Sequence, residues 1–228
     1  MTDHAHDLGT VREATERLLT AVAKLAEAAV TEPSRLPGWS RGHILAHLAR
    51  NADALVNVLE GRPMYADAAT RDADIERDAP RPLDVQLADV RESAARFQEA
   101  GAAPADWSRT VELRNGVTDS ASRVPFRRWV EVELHHVDLG IGYELEDLPA
   151  KFTEREIDFL AERFTGHPDV PPTRLTDGTR AWHTGREADG PEVTVTGSRA
   201  DLLGWLAGRR DGSGLTVDGG PLPALPPL

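Results

Sequence analysis

Cysteine is absent from all 228 residues. Disulfides, thiolate-bound zinc and a catalytic thiol of the chain's own are therefore excluded, and any thiol chemistry must draw its sulfur from a small molecule. Basic charge is scarce as well. The 26 Lys and Arg stand against 38 Asp and Glu, giving a formal net charge of −12, so neither nucleic acid nor a membrane surface is expected as a partner, since both need a basic face. No apolar run approaches the roughly 20 residues of a membrane span. The start, Met1-Thr-Asp-His-Ala-His-Asp, is polar and acidic rather than a secretory signal, and a cytoplasmic location is expected.

What is there is a soluble globular composition, in a chain long enough for one large or two small domains with a proper core. Apolar residues from Val11 through Leu18, Val22 and Leu25 to Ala29 recur at helical spacing. A second helix is capped by Ser40 and stopped by Gly61 and Pro63, with Ile44, Leu48, Ala52, Leu55 and Leu59 as its core stripe. A third follows Pro82, and a fourth runs from near Val124 to about Gly140, with Ser122 as a cap candidate. Four amphipathic helices in this span predict a bundle. The connections 61–82 and 102–122 are long for one and read as loops.

Beyond Tyr143 the pattern changes. A helix is expected over Phe152–Phe164, strands over Arg174–His183, Glu192–Val195 and Leu215–Val217, and a short helix capped by Ser198. The fold class read from this is α+β: a four-helix bundle over residues 1–148 and a small α+β domain over 149–228.

Two distant helical segments carry the chemistry. One contains His43 and His47; the other contains Glu131, His135 and Asp138 at i, i+4 and i+7, a spacing that places all three on one face. Taken alone, His47 reads first as a buried histidine satisfied within the bundle, and Glu131 with His135 as an exposed ionic pair. Together, one carboxylate and two imidazoles on inward strips are costly to bury unless they bind something. If the helices pack side by side, His47, Glu131 and His135 form a three-ligand site for a divalent metal, zinc by preference, with one position open. His43 competes with His47, which is favoured because it lies a turn deeper. Asp138 reads either as the residue that orients an imidazole or as a helix-end contact. Glu133 and His136 point elsewhere, and His4, His6, His167 and His183 read as surface residues.

The stretch Leu36-Pro-Gly-Trp39-Ser-Arg-Gly-His43-Ile-Leu-Ala-His47-Leu-Ala-Arg-Asn51 resembles the N-terminal signature of mycothiol-dependent maleylpyruvate isomerases, within the DinB-like metal-binding bundles. Pro63-Met64-Tyr65 with Arg71-Asp-Ala-Asp-Ile75, Arg128-Trp-Val-Glu131-Val-Glu-Leu-His135-His-Val-Asp138, and Leu206-Ala-Gly-Arg209 agree in order. The resemblance implies metal ligands at His47, Glu131 and His135. It also implies an active-site arginine at Arg209, with Arg210 as its alternative, and mycothiol as thiol cofactor. The expected activity is cis–trans isomerisation of maleylpyruvate to fumarylpyruvate in gentisate degradation. The expected partners are a small dicarboxylate and a low-molecular-weight thiol, and the oligomeric state is left open, a monomer included. A mycothiol S-transferase, a non-catalytic metal-binding or regulatory bundle, and a hydrolase using metal-bound hydroxide are the alternatives.

Overall fold

The computed structural model describes residues 3–187 and 192–227. They divide into two compact units, Met1–Tyr143 and Glu144–Leu228.

The first unit is built on α1 (His4–Val22), α2 (Arg41–Leu59), α3 (Ala68–Asp78), α4 (Leu83–Ala102) and α5 (Val124–Asp138). Helix α2 packs on α4 and α5, and α1 packs on the same two, which closes a four-helix ring with α3 laid against α2. The core is the set of stripes that face inward, including Val11, Leu18, Ile44, Leu48, Leu55, Val90, Phe97 and Val132.

The local signals explain the boundaries. The Ser40 side chain accepts from the His43 amide, and the His43 ring accepts from the Ser40 amide, so a histidine completes a reciprocal N-cap. Gly42 is required by packing, because a Cβ there would lie 2.0 Å from the Ala79 carbonyl oxygen. Helix α1 differs from expectation: it ends at Val22, and the segment beyond it tightens into a 3-10 turn at Glu27–Thr31. The expected cap of α5 also differs. Ser120, not Ser122, accepts the capping bond, and it caps a 3-10 turn (Ala121–Arg123) that leads into the helix.

Both long connections are structured. The first holds α3, capped by the Asp67 side chain on the Thr70 amide. The second holds a small antiparallel hairpin of β1 (Thr110–Glu112) and β2 (Thr118–Ser120).

In the second unit, α6 (Ala150–Phe164) and α7 (Arg199–Leu206) accompany a four-stranded sheet ordered β4-β3-β5-β6. Its strands are β3 (Thr173–Thr176), β4 (Ala181–Thr184), β5 (Val193–Thr196) and β6 (Thr216–Asp218). The β3–β5 pair is parallel and the other two are antiparallel. Alternating burial along β3 and β5 sends Leu175, Val193 and Val195 into the core. The segment expected as one strand from Arg174 to His183 is a hairpin, reversed at Asp177-Gly178, where Gly178 takes a φ of 87°. Among the described residues no helix is long and apolar enough to cross a membrane.

Candidate metal centre

Helix α2 contributes His47 from its second turn, and α5 contributes Glu131 and His135 one turn apart. The two helices pack together, and the three side chains meet: one donor atom from each lies within 4.8 Å of the others. His47 Nε2 is 2.9 Å and His135 Nε2 is 3.3 Å from the same oxygen, Glu131 Oε2. The two imidazole planes are nearly perpendicular, at 81°, with centroids 4.7 Å apart. Among the described residues this is the one group of three or more His, Asp or Glu side chains so arranged. Two nitrogens and a carboxylate oxygen suit a divalent cation of the zinc type, and three protein donors are the number that leaves a position for an exogenous ligand. Both histidines are buried, while the Glu131 side chain stays 33% exposed, so the centre opens to solvent on the carboxylate side.

The neighbours define the protonation pattern. His135 Nδ1 donates to Oδ2 of the fully buried Asp138 at 2.9 Å. With its Nε2 turned to Glu131, this ring has carboxylates on both sides. Burial alone would lower its pKa, but the bonds to Asp138 and Glu131 outweigh burial and raise it. Burial likewise opposes ionisation of Glu131, yet hydrogen bonds from His135 and His47 hold its carboxyl well below the usual range. His47 behaves oppositely: burial lowers its pKa to about 4, against the bond to Glu131, so it is neutral at pH 7. Arg71 Nη2, always a donor, lies 3.3 Å from His47 Nδ1. Nδ1 is therefore the acceptor, and Nε2 carries the proton toward Glu131. A cation held at Nε2 requires the opposite tautomer, and Nδ1 then no longer accepts from Arg71.

His43 stays out of the cluster. Its Nδ1 is engaged by the helix cap at Ser40, and its Nε2 faces Glu76 at 3.3 Å. Glu133 and His136 occupy another face of α5. Glu133 accepts from Trp129 Nε1 and the Tyr143 hydroxyl, and His136 stacks on Tyr143 at 4.0 Å. His4, expected at the surface, is partly buried and stacked on Trp107 with centroids 4.1 Å apart.

Several flanking groups went unassigned from sequence. Trp39 packs beside His47, with ring centroids 5.5 Å apart. Arg71 lies on α3, inside a connection read as loop, and its guanidinium sits 6.0 Å from the Tyr65 ring centroid. Tyr65 lines a cavity of about 620 Å³ shared with Met64, Arg109 and Arg114. It also lines a smaller one of about 190 Å³ that reaches Asp53, Asn57 and Arg71. Arg71 thus joins this smaller cavity to His47. Arg128, one turn before Glu131 on α5, is 1% exposed and donates from Nη1 to Asn51 Oδ1 at 2.7 Å. Its spacing from Glu131 was a legible signal; its burial was not.

Arg209 lies in the second unit, just past α7, where its Nη1 donates to the Ala207 carbonyl at 2.7 Å. Arg210 is engaged with Asp201 and Glu146 at 2.6 and 2.7 Å.

Comparison with known proteins gives a consistent answer. The family model described as mycothiol maleylpyruvate isomerase N-terminal domain matches residues 11–140, and the one described as MDMPI C-terminal domain matches residues 147–227. A search of curated proteins gives no match. Two solved structures align over 99% of this chain and 97% of their own, each at 27% identity. One is of a mycothiol-dependent maleylpyruvate isomerase, with a TM-score of 0.89, and the other is of a histidine-to-alanine mutant of such an enzyme, with a TM-score of 0.88. With both domain models matched in order, the chain belongs to the mycothiol maleylpyruvate isomerase family.

Proposed function

We propose that this protein is a metal-assisted, mycothiol-dependent isomerase that converts maleylpyruvate to fumarylpyruvate, acting in the cytoplasm in gentisate degradation. The observation that carries this reading is the convergence of His47, Glu131 and His135 on one point in a chain of this family that has no cysteine. These three residues would hold the cation, zinc in our reading. When bound, cation and mycothiol together supply an activated sulfur that adds to the electron-poor double bond and leaves after rotation.

The chain's residues set the conditions for that chemistry. The neutral imidazole of His47 offers a lone pair without first losing a charge. Asp138 fixes the ring of His135 so that Nε2 faces the centre. Glu131 stays ionised and brings the negative charge that favours a cation over water. Arg209 is our choice for a carboxylate clamp, because a guanidinium can grip both oxygens of a carboxylate.

The test is turnover of maleylpyruvate by zinc-loaded protein with and without mycothiol. Isomerisation that requires the thiol but does not consume it is the expected result. Consumption of one thiol per product would make the protein an S-transferase, cleavage of the substrate by water without thiol a hydrolase, and no turnover a non-catalytic metal-binding bundle.

A further inference from the structure

Arg128 has a peculiarity that the metal centre does not explain. It is 1% exposed, yet no carboxylate lies within ion-pairing distance of it among the described residues, and only Nη1 is hydrogen-bonded, to Asn51. Nε and Nη2 are buried and have no partner. An unpaired buried cation with idle donors is among the costliest things a core can hold. Burial lowers the Arg128 pKa only to about 10, so the group remains a cation at neutral pH.

The two idle atoms matter as a pair. Nε–H and Nη2–H point in parallel from one edge of the guanidinium, the edge that grips both oxygens of a carboxylate side-on. Asn51 pins the remaining corner and so fixes the direction of that edge. The surroundings place it at the site. Arg128 stands one turn before Glu131 on α5, and its partner Asn51 one turn after His47 on α2; Asp53, two residues beyond Asn51, lines with Tyr65 the 190 Å³ cavity whose wall includes Arg71.

We propose that Arg128 is a second carboxylate-binding residue of this site, in addition to the Arg209 clamp, receiving one carboxylate of a dicarboxylate substrate on its Nε–Nη2 edge. The proposal rests on the isomerase reading for the identity of the substrate alone; the binding chemistry is independent of turnover. Because the edge is closed to solvent, the carboxylate reaches it only as neighbouring side chains give way.

The experiment measures maleate, a cis-dicarboxylate, binding to zinc-loaded protein by calorimetry and by thermal shift, with no thiol present. Maleate is expected to bind and stabilise the wild type. Arg128→Met, which keeps length and loses charge, is expected to bind maleate roughly 100-fold more weakly, as two charge-assisted bonds are lost. Its melting temperature without maleate should equal or exceed that of the wild type, because an unpaired buried charge has been removed, whereas a merely structural arginine would lower it. Arg128→Lys keeps the charge without the fork and should lose roughly tenfold; it also decides the matter if the Met variant does not fold. Unchanged maleate affinity in either variant, with full zinc, overturns the proposal, as does a wild type that does not bind maleate. Failure of maleylpyruvate turnover with these binding differences intact would overturn the isomerase reading and leave Arg128 as a carboxylate site.

Discussion

At the scale of single residues, the centre is organised around one oxygen. Protons on His47 Nε2 and His135 Nε2 both point at Glu131 Oε2, and a cation takes the place of both. His47 meets this by a tautomer change, whereas His135, kept charged by Asp138 and Glu131, has to give up a proton. Zinc binding near pH 6.5 should therefore release a proton, visible as a buffer-dependent calorimetric enthalpy, and zinc affinity should fall as pH drops through the raised pKa of His135. Asp138→Asn keeps an acceptor oxygen but removes the negative charge that helps hold His135 protonated, and should shift that fall to lower pH; an unshifted profile would show that Asp138 does not act on the ring's charge. His47→Ala and His135→Ala should each lose stoichiometric zinc and turnover together, with the helical circular dichroism retained. A full equivalent of zinc in both would refute the ligand assignment. Arg209→Ala should keep the metal and raise KM or lower kcat by roughly tenfold or more, the loss of one charge-assisted contact; unchanged kinetics would remove it from the site.

At the scale of elements, how far the sequence could be read depended on how much each element buries. Helices α2, α4 and α5 announce themselves by apolar stripes, because each packs along most of its length. Helix α3 buries only Ile75 and Asp78, so it leaves no 3.6-residue pattern to find and reads as loop, although it carries Arg71. Strands of three residues such as β1 and β2 are too short to show alternation. In the second unit the turn between β3 and β4 depends on Asp177, which accepts from the amides of Thr179 and Arg180 at 2.8 and 2.6 Å and from Arg199 Nε at 2.6 Å. Burial opposes its ionisation, but these bonds outweigh it and hold the carboxyl well below its ordinary range. A depressed carboxyl stabilises above the unfolded pKa, near 4, and that contribution is lost as pH falls below it. Asp177→Asn should accordingly destabilise the unit by about 1–3 kcal/mol at pH 7, with the difference from wild type shrinking below pH 4 in denaturant melts.

At the scale of the whole molecule, the proposed zinc ligands all belong to the Met1–Tyr143 unit. Zinc removal should lower the transition of that unit by about 4 kcal/mol for free metal at a thousand times its Kd, while the transition of the Glu144–Leu228 unit stays where it was. Calorimetry with and without chelator checks this, and a shift of both transitions would show that the two units unfold as one.

The order of residues along the chain already determined the fold class, the facing of Glu131, His135 and Asp138, and the want of a thiol of the chain's own. Each of these follows from composition or from a helical repeat, which a single strand of text contains in full. Whether His43 or His47 turns to Glu131 was decided by the folded chain, because a histidine taken up by the Ser40 cap and one aimed at a carboxylate look alike until the second helix is in place. The same holds for Arg128: its letter is visible, but the want of a partner is a property of everything packed around it.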